Sequence, residues 1–286
     1  MFRRYKYKEL TKTFCETCYL VQNVDVNKAM KEGKFESGLE HYLRFGYGEN
    51  RNVKCACVLE RNNDLYEFGE LYHDFRMFGF KNKVLPGIYE LNQKSKEPII
   101  NAYIQFAIAK TKEKVESEVS FVELFAADCY YTMLAYHFGA AKVIGIDNNV
   151  SEHSVYTKQI AKKLNIENFE FILSDVNNID TFDKVDIVAN LGGLYHVSNP
   201  KEIIEKSYHM AKKFLIIQTV VSMANDEEDY FEAPAPGWDW GCRFNKLSFD
   251  KLMKNLGYDI VDQHFNELEG NERLEDRGSV YYLIRK

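Results

Sequence analysis

Three carboxylates stand where a folded chain could put them to use. Glu123 lies inside the apolar run Val119 to Leu124, Asp147 closes the run Lys142 to Ile146, and Asp175 follows the alternating run Phe169 to Leu173. A carboxylate buried without a partner is costly, so Glu123 reads as a ligand contact rather than as core filler. Asp147 ends a strand, where its two oxygens can accept hydrogen bonds from the two hydroxyls of a ribose. Asp175 can cap the turn that follows it.

The elements that must position these groups can be read around them. Val119 to Leu124 is a strand, Phe125 to Cys129 a turn of mostly small residues, Cys129 to Phe138 a helix, and Lys142 to Ile146 a second strand. Strand, turn, helix and strand form the first unit of a Rossmann-like sheet. The turn Phe125-Ala126-Ala127-Asp128-Cys129 holds no glycine. A dinucleotide pyrophosphate needs G-x-G-x-x-G to approach the backbone. Phosphate cradling and NAD are therefore not expected, while an adenosine cofactor without phosphates is still allowed.

The segment resembles motif I of class I S-adenosylmethionine-dependent methyltransferases, roughly V-L-D-I-G-C-x-D-G-Y-Y-S. Glu123 matches the first acidic position, and Asp128, Tyr130, Tyr131 and Thr132 match D, Y, Y and S. Phe125 and Cys129 replace the two glycines. The resemblance implies S-adenosylmethionine as cofactor, with Glu123 near the methionine amine. It implies further contacts from Ala126, Asp128 and Tyr130, with one of Tyr130 and Tyr131 in the core. Asp147 and Asn148 would take the ribose, and Asp175 with Val176 the adenine edge. Asn190, ending a buried strand, would meet cofactor or substrate. Leu191-Gly192-Gly193-Leu194-Tyr195-His196-Val197-Ser198-Asn199-Pro200 resembles C-L-G-V-L-Y-H-x-x-x-P. That segment marks a subset including tRNA wobble-uridine carboxymethyl transferases and enzymes of surface-glycan loci.

Further elements complete the sheet. Helical spacing covers Glu152 to Leu164, Pro200 to Lys212 and Leu247 to Asn255; strands cover Lys184 to Asn190, Phe214 to Val221, Tyr258 to Phe265 and Gly278 to Ile284. The expected class is α/β: a Rossmann-like seven-stranded mixed sheet, its last strand antiparallel, with a small N-terminal helical module. Residues 1–60 form that module, 61–117 a connecting region and possible lid, and 118–286 the methyltransferase domain. Within the module, Phe14 to Leu20, Asn23 to Val26 and Gly38 to Asn52 resemble a short module found beside bacterial polysaccharide-synthesis proteins. Asp25 is expected to cap a helix over Val26 to Lys31, and Gly46 to end the helix carrying His41 to Phe45. Cys15-x-x-Cys18 and Cys55-x-Cys57 could hold zinc. No metal is expected, because C-x-C is an unusual zinc arm and the first pair lies in a pattern that relatives fill without cysteine.

The acceptor side falls on two segments. His196 follows a strand edge and has a pKa suited to proton transfer near neutrality, so it reads either as a base or as a packing residue. The long segment Ser222 to Lys246 carries both tryptophans. Trp238, Trp240 and Arg243, with Tyr195, are the acceptor-binding candidates: indoles stack on sugars or bases, and arginine can fork a phosphate or carboxylate. Leu85-Pro86-Gly87-Ile88-Tyr89 could close over the same pocket.

Composition narrows the partners. The chain has 286 residues, 45% hydrophobic, with a formal net charge of −6. No apolar run reaches the ~20 residues of a membrane helix, and the N-terminus lacks the apolar region of a signal peptide. A cytoplasmic protein with reduced thiols is expected. The acidic balance weighs against nucleic acid. A small-molecule or glycan acceptor is expected; tRNA, or a non-catalytic binding role on a decayed fold, are the alternatives.

Overall fold

The computed structural model describes residues 14–49, 51, 64–113 and 118–286. The chain divides into two compact units, Met1–Asp64 with Gly79–Lys81 and Leu65–Phe78 with Asn82–Lys286.

The second unit is built on one seven-stranded sheet. Its strands are β1 (Ser120–Leu124), β2 (Lys142–Asp147), β3 (Phe169–Leu173), β4 (Val185–Leu191), β5 (Ala211–Val221), β6 (Asp259–Glu267) and β7 (Gly278–Arg285). Their order across the sheet is β6-β7-β5-β4-β1-β2-β3. β1 to β5 run parallel, and β7 runs antiparallel to both β5 and β6. Every residue of β4 is buried. Such continuous burial is expected of a parallel strand covered on both faces. The seven-stranded α/β class read from the sequence is the one observed.

The helices of this unit are the long α4 (Tyr89–Lys112), then α5 (Tyr130–His137), α6 (Thr157–Lys163), α7 (Pro200–Met210) and α8 (Lys246–Leu256); α1 to α3 belong to the first unit. α6 starts five residues later than its spacing predicts. Asn149 and Glu152 take left-handed φ values of 53° and 56°, which no helix tolerates. α8 opens on a capping box between Asn245 and Ser248 and stops at Gly257, whose φ is 66°. Gly145 of β2 lets α5 settle close to the sheet, because a Cβ there would strike the Cys129 sulfur. That close approach brings Thr132 to Glu123.

The first unit contains α1 (Glu16–Gln22), α2 (Val24–Lys31) and α3 (Gly38–His41), the last running on into a wider turn at Tyr42–Gly46. Tyr19, Val26 and Tyr42 form its core. Glu16 receives the backbone N–H groups of Gly38 and Leu39, and Tyr19 shares a 3.0 Å hydrogen bond with His41. Two sequence expectations need correction. Asp25 caps nothing: α2 already begins at Val24, and the Asp25 carboxylate is forked by Arg51 at 2.9 and 2.6 Å. Gly46 lies within the turn rather than past its end, and a side chain there would strike the Tyr19 hydroxyl. Cys55 and Cys57 lie outside the described residues. Among the described residues no group of three metal-ligating side chains occurs.

Candidate active site

A cavity of about 1200 Å³ opens beyond the carboxyl ends of β1 to β5, the edge where ligands bind in such sheets. It exceeds the ~300–1,000 Å³ of ordinary ligand pockets, so it has room for a cofactor and an acceptor. A recess of about 30 Å³ shares Tyr72, His73, Lys96, Phe125, Ala127 and Gly192 with the larger space.

The turn after β1 keeps a glycine-type backbone without glycine. Phe125, Ala127 and Cys129 have φ values of 58°, 46° and 61°. Each costs roughly 1–2 kcal/mol for a residue with a Cβ. Two carboxylates hold the turn. Asp147 accepts the Ala127 N–H at 3.0 Å, and Asp128 ties the turn to His73 by bonds of 2.8 Å to its N–H and 2.6 Å to Nδ1.

The recess has the chemistry of an amino-acid head-group site. Glu123 accepts the Thr132 N–H and hydroxyl at 2.6 and 2.5 Å. Burial still pushes its pKa up to about 8. Lys96, reaching in from α4, is pushed down to about 8 by its own burial, with Glu123 acting against that shift. Gln218 Oε1 and the Tyr131 hydroxyl line the recess, buried and without hydrogen-bond partners. A buried ammonium, a buried carboxyl and an orphaned amide oxygen match the zwitterion of a methionine. These residues fit S-adenosylmethionine.

The other end of the cavity carries the acceptor candidates. The His196 ring stacks on Trp240 at 5.0 Å and 9° and lies 4.1 Å from the Tyr195 ring. Burial pushes its pKa down to about 4, helped by Arg243 and Lys96, so the imidazole is neutral near pH 7 but a weaker base than the near-neutral value expected from the sequence. Trp238 and Trp240 remain 47% and 41% exposed at the cavity wall. Arg243 differs from expectation. Its guanidinium donates to Asp276 at 2.6 Å and to the Cys242 carbonyl at 2.9 Å, and packs over Tyr195. The fork expected for a substrate anion is already occupied.

Asp147, Asn148, Asp175, Val176, Tyr195, His196, Trp238, Trp240 and Arg243 all line the cavity, as expected of site residues. Asp175 does so while also capping the following turn through a 2.8 Å bond from the Asn177 N–H. Four expected cofactor contacts sit behind the wall instead. Ala126 is buried, with its N–H on the Ile146 carbonyl. Asp128 is spent on His73. Tyr130 stacks on His73 and donates to Glu97. Asn190 faces away from the cavity and donates to Ser207 of α7 at 3.1 Å, because alternate residues of a strand face opposite sides. Of the neighbouring tyrosines, Tyr130 is the core residue and Tyr131 the one at the recess. Tyr72, His73, Gln93 and Lys96 line the site without having been expected. Of the segment Leu85 to Tyr89, only Ile88 and Tyr89 reach it.

A family model described as a methyltransferase domain matches residues 115–263, just over half of the chain. Magnesium protoporphyrin IX methyltransferase from Synechocystis PCC 6803, with bound S-adenosylhomocysteine, is similar in structure. Its TM-score is 0.50 at 13% identity, covering 74% of this chain and 93% of that one. Coclaurine N-methyltransferase, bound to N-methylheliamine and S-adenosylhomocysteine, gives a TM-score of 0.51 at 10% identity, covering 67% and 72%. At such identities the likeness is one of fold. No curated protein matches the chain.

Proposed function

The chain belongs to the methyltransferase-domain family and its cofactor is S-adenosylmethionine; from that premise we propose that it methylates an oxygen or nitrogen of a sugar, or of a group attached to one, in bacterial surface-polysaccharide synthesis. The observation that carries this reading is the pair of half-exposed indoles beside a neutral His196. Indole faces take the C–H face of a sugar ring. The nearby cations are balanced: Arg243 pairs with Asp276 at 2.6 Å, and Arg273 lies 3.5 Å from the same carboxylate. A polyanion such as tRNA is poorly served by that arrangement.

When bound, the cofactor supplies an electrophilic methyl group. Asp147 and Asn148 hold the ribose, and Asp175 and Val176 the adenine. Glu123 and Gln218 receive the α-ammonium, and Lys96 faces the α-carboxylate. His196 accepts the proton of the attacking group, and Tyr195, Trp238 and Trp240 fix that group's approach. Positioning alone supplies much of the rate in such a transfer. In this reading residues 1–60 dock the protein beside other polysaccharide-synthesis proteins, Tyr72, His73 and residues 88–96 of the connecting region close one side of the cavity, 118–286 carry the chemistry, and the protein works in the cytoplasm. Among the described residues no helix is long and apolar enough to cross a membrane.

The test offers methyl-labelled S-adenosylmethionine together with nucleotide sugars, isolated surface polysaccharide or bulk tRNA. Label in the sugar fractions supports the reading. Label in tRNA, with binding that collapses as salt rises, overturns it.

A further inference from the structure

The cofactor's sulfur joins its ribose to its amino-acid chain. Ribose contacts line the large cavity and amino-acid contacts line the recess. Residues that line both spaces therefore stand beside the sulfur. Among the described residues six do so, and two of them, Tyr72 and Phe125, carry aromatic rings that no ion pair engages.

We propose that Tyr72 and Phe125 form an aromatic receptor for the cofactor's sulfonium, binding its positive charge through their ring faces. A cation within about 6 Å of a ring centroid is attracted by the ring's negative face, most strongly where water is excluded.

Both rings are fixed before any ligand arrives. Tyr72 packs against Tyr89 and His153, each at 4.9 Å, and the next residue, His73, is tied to Asp128 through its backbone and its ring. Phe125 owes its direction to its left-handed backbone, and its ring fills the space beside Gly193, where any Cβ would overlap it. Both rings are uncharged near neutrality: burial holds the Tyr72 hydroxyl well above its usual pKa. The motif position at 125 thus exchanges a glycine for a ring at the point where the cofactor's charge must sit. Tyr72 comes from upstream of the residues that the family model matches.

The inference rests on the cofactor and not on the acceptor, so binding tests it. The full chain is titrated calorimetrically with S-adenosylmethionine and with S-adenosylhomocysteine, which lacks the methyl and the charge. Tyr72→Leu and Phe125→Leu should each lower the preference for the charged ligand by about 2- to 30-fold. Tyr72→Phe should keep it. Sinefungin, which carries an ammonium near the sulfonium position, should bind the unmodified protein more tightly than S-adenosylhomocysteine, and this arm needs no folded variant. Equal weakening of both ligands in the leucine variants, or equal affinity for sinefungin and S-adenosylhomocysteine, overturns the proposal. Binding of none of the three would overturn the cofactor assignment itself.

Discussion

Asp147 accepts the backbone N–H of Ala127 through Oδ2 at 3.0 Å, while Oδ1 takes the N–H of Asn149 at 2.6 Å. The carboxylate that the sequence assigns to a ribose therefore also holds the left-handed turn after β1. Hydrogen bonds to a charged group contribute about 1.5–3 kcal/mol, enough to offset the strain at Ala127.

Removing this carboxylate should act twice. Asp147→Ala is expected to weaken S-adenosylhomocysteine tenfold or more and to lower unfolding stability by about 1–3 kcal/mol. Asp147→Asn, which can still accept one bond, should show smaller losses in both. Calorimetry and urea unfolding on the same samples read the two effects. Unchanged affinity beside reduced stability would leave Asp147 a structural role alone.

Lys96 should behave in the opposite sense. Its buried ammonium has only Glu123 nearby to favour it. Lys96→Met should leave the free protein as stable or more stable, since desolvating a lone charge is costly. The same change should weaken S-adenosylhomocysteine about tenfold. If affinity holds, the cofactor's carboxylate lies elsewhere.

Stability should fall as pH rises from about 6.5 to 8. The Glu123 carboxyl has an ordinary value of 4.5 and is raised to about 8 in the fold. Between those values the unfolded chain binds fewer protons than the folded one, so the slope of stability with pH is negative. His196, lowered from 6.5 to about 4, gives the opposite slope but only below pH 6.5. Lys96, lowered from 10.5 to about 8, gives a rise that begins near pH 7 but stays smaller than the Glu123 decline until the two balance near pH 8. Urea midpoints measured at intervals from pH 6.5 to 8 should therefore decline. Glu123→Gln should flatten the decline, and a slope that survives this change would place its source in another group.

Replacing both Trp238 and Trp240 by alanine should separate the two ends of the cavity. Affinity for S-adenosylhomocysteine should stay within about twofold, while methyl transfer to sugar acceptors is lost or needs far more acceptor. A parallel loss of cofactor binding would mean that the indoles shape the whole cavity.

The sheet was legible in the sequence because five of its strands, β1, β2, β4, β5 and β7, are largely buried and read as apolar runs, while β3 and β6 are more exposed and carry mixed patterns. The strand-end carboxylates were legible for the same reason: an acidic residue beside an apolar run stands out. Residues 61–117 were not. α4 buries Gln93, Lys96, Glu97 and Asn101 among its apolar positions, which erases the amphipathic pattern that would mark a helix facing a core. These side chains are matched by others far away in sequence, such as Arg76 and Tyr130 on Glu97. No local spacing reports such a match. Asn190 misled for a simpler reason. Position at a strand's end was legible, but the face its side chain takes depends on register. Arg243 misled because its partner, Asp276, lies 33 residues away.

The placement of β7 bears on how the protein can be shortened. β7 lies between β5 and β6, so the strand made last closes the long flank of one made more than fifty residues earlier. β5 spans eleven residues, nearly all buried. A chain cut before Gly278 would leave that flank open as a long apolar edge, with its amide and carbonyl groups free to pair with another molecule. Such a fragment should still build the parallel strands yet precipitate by edge-to-edge association.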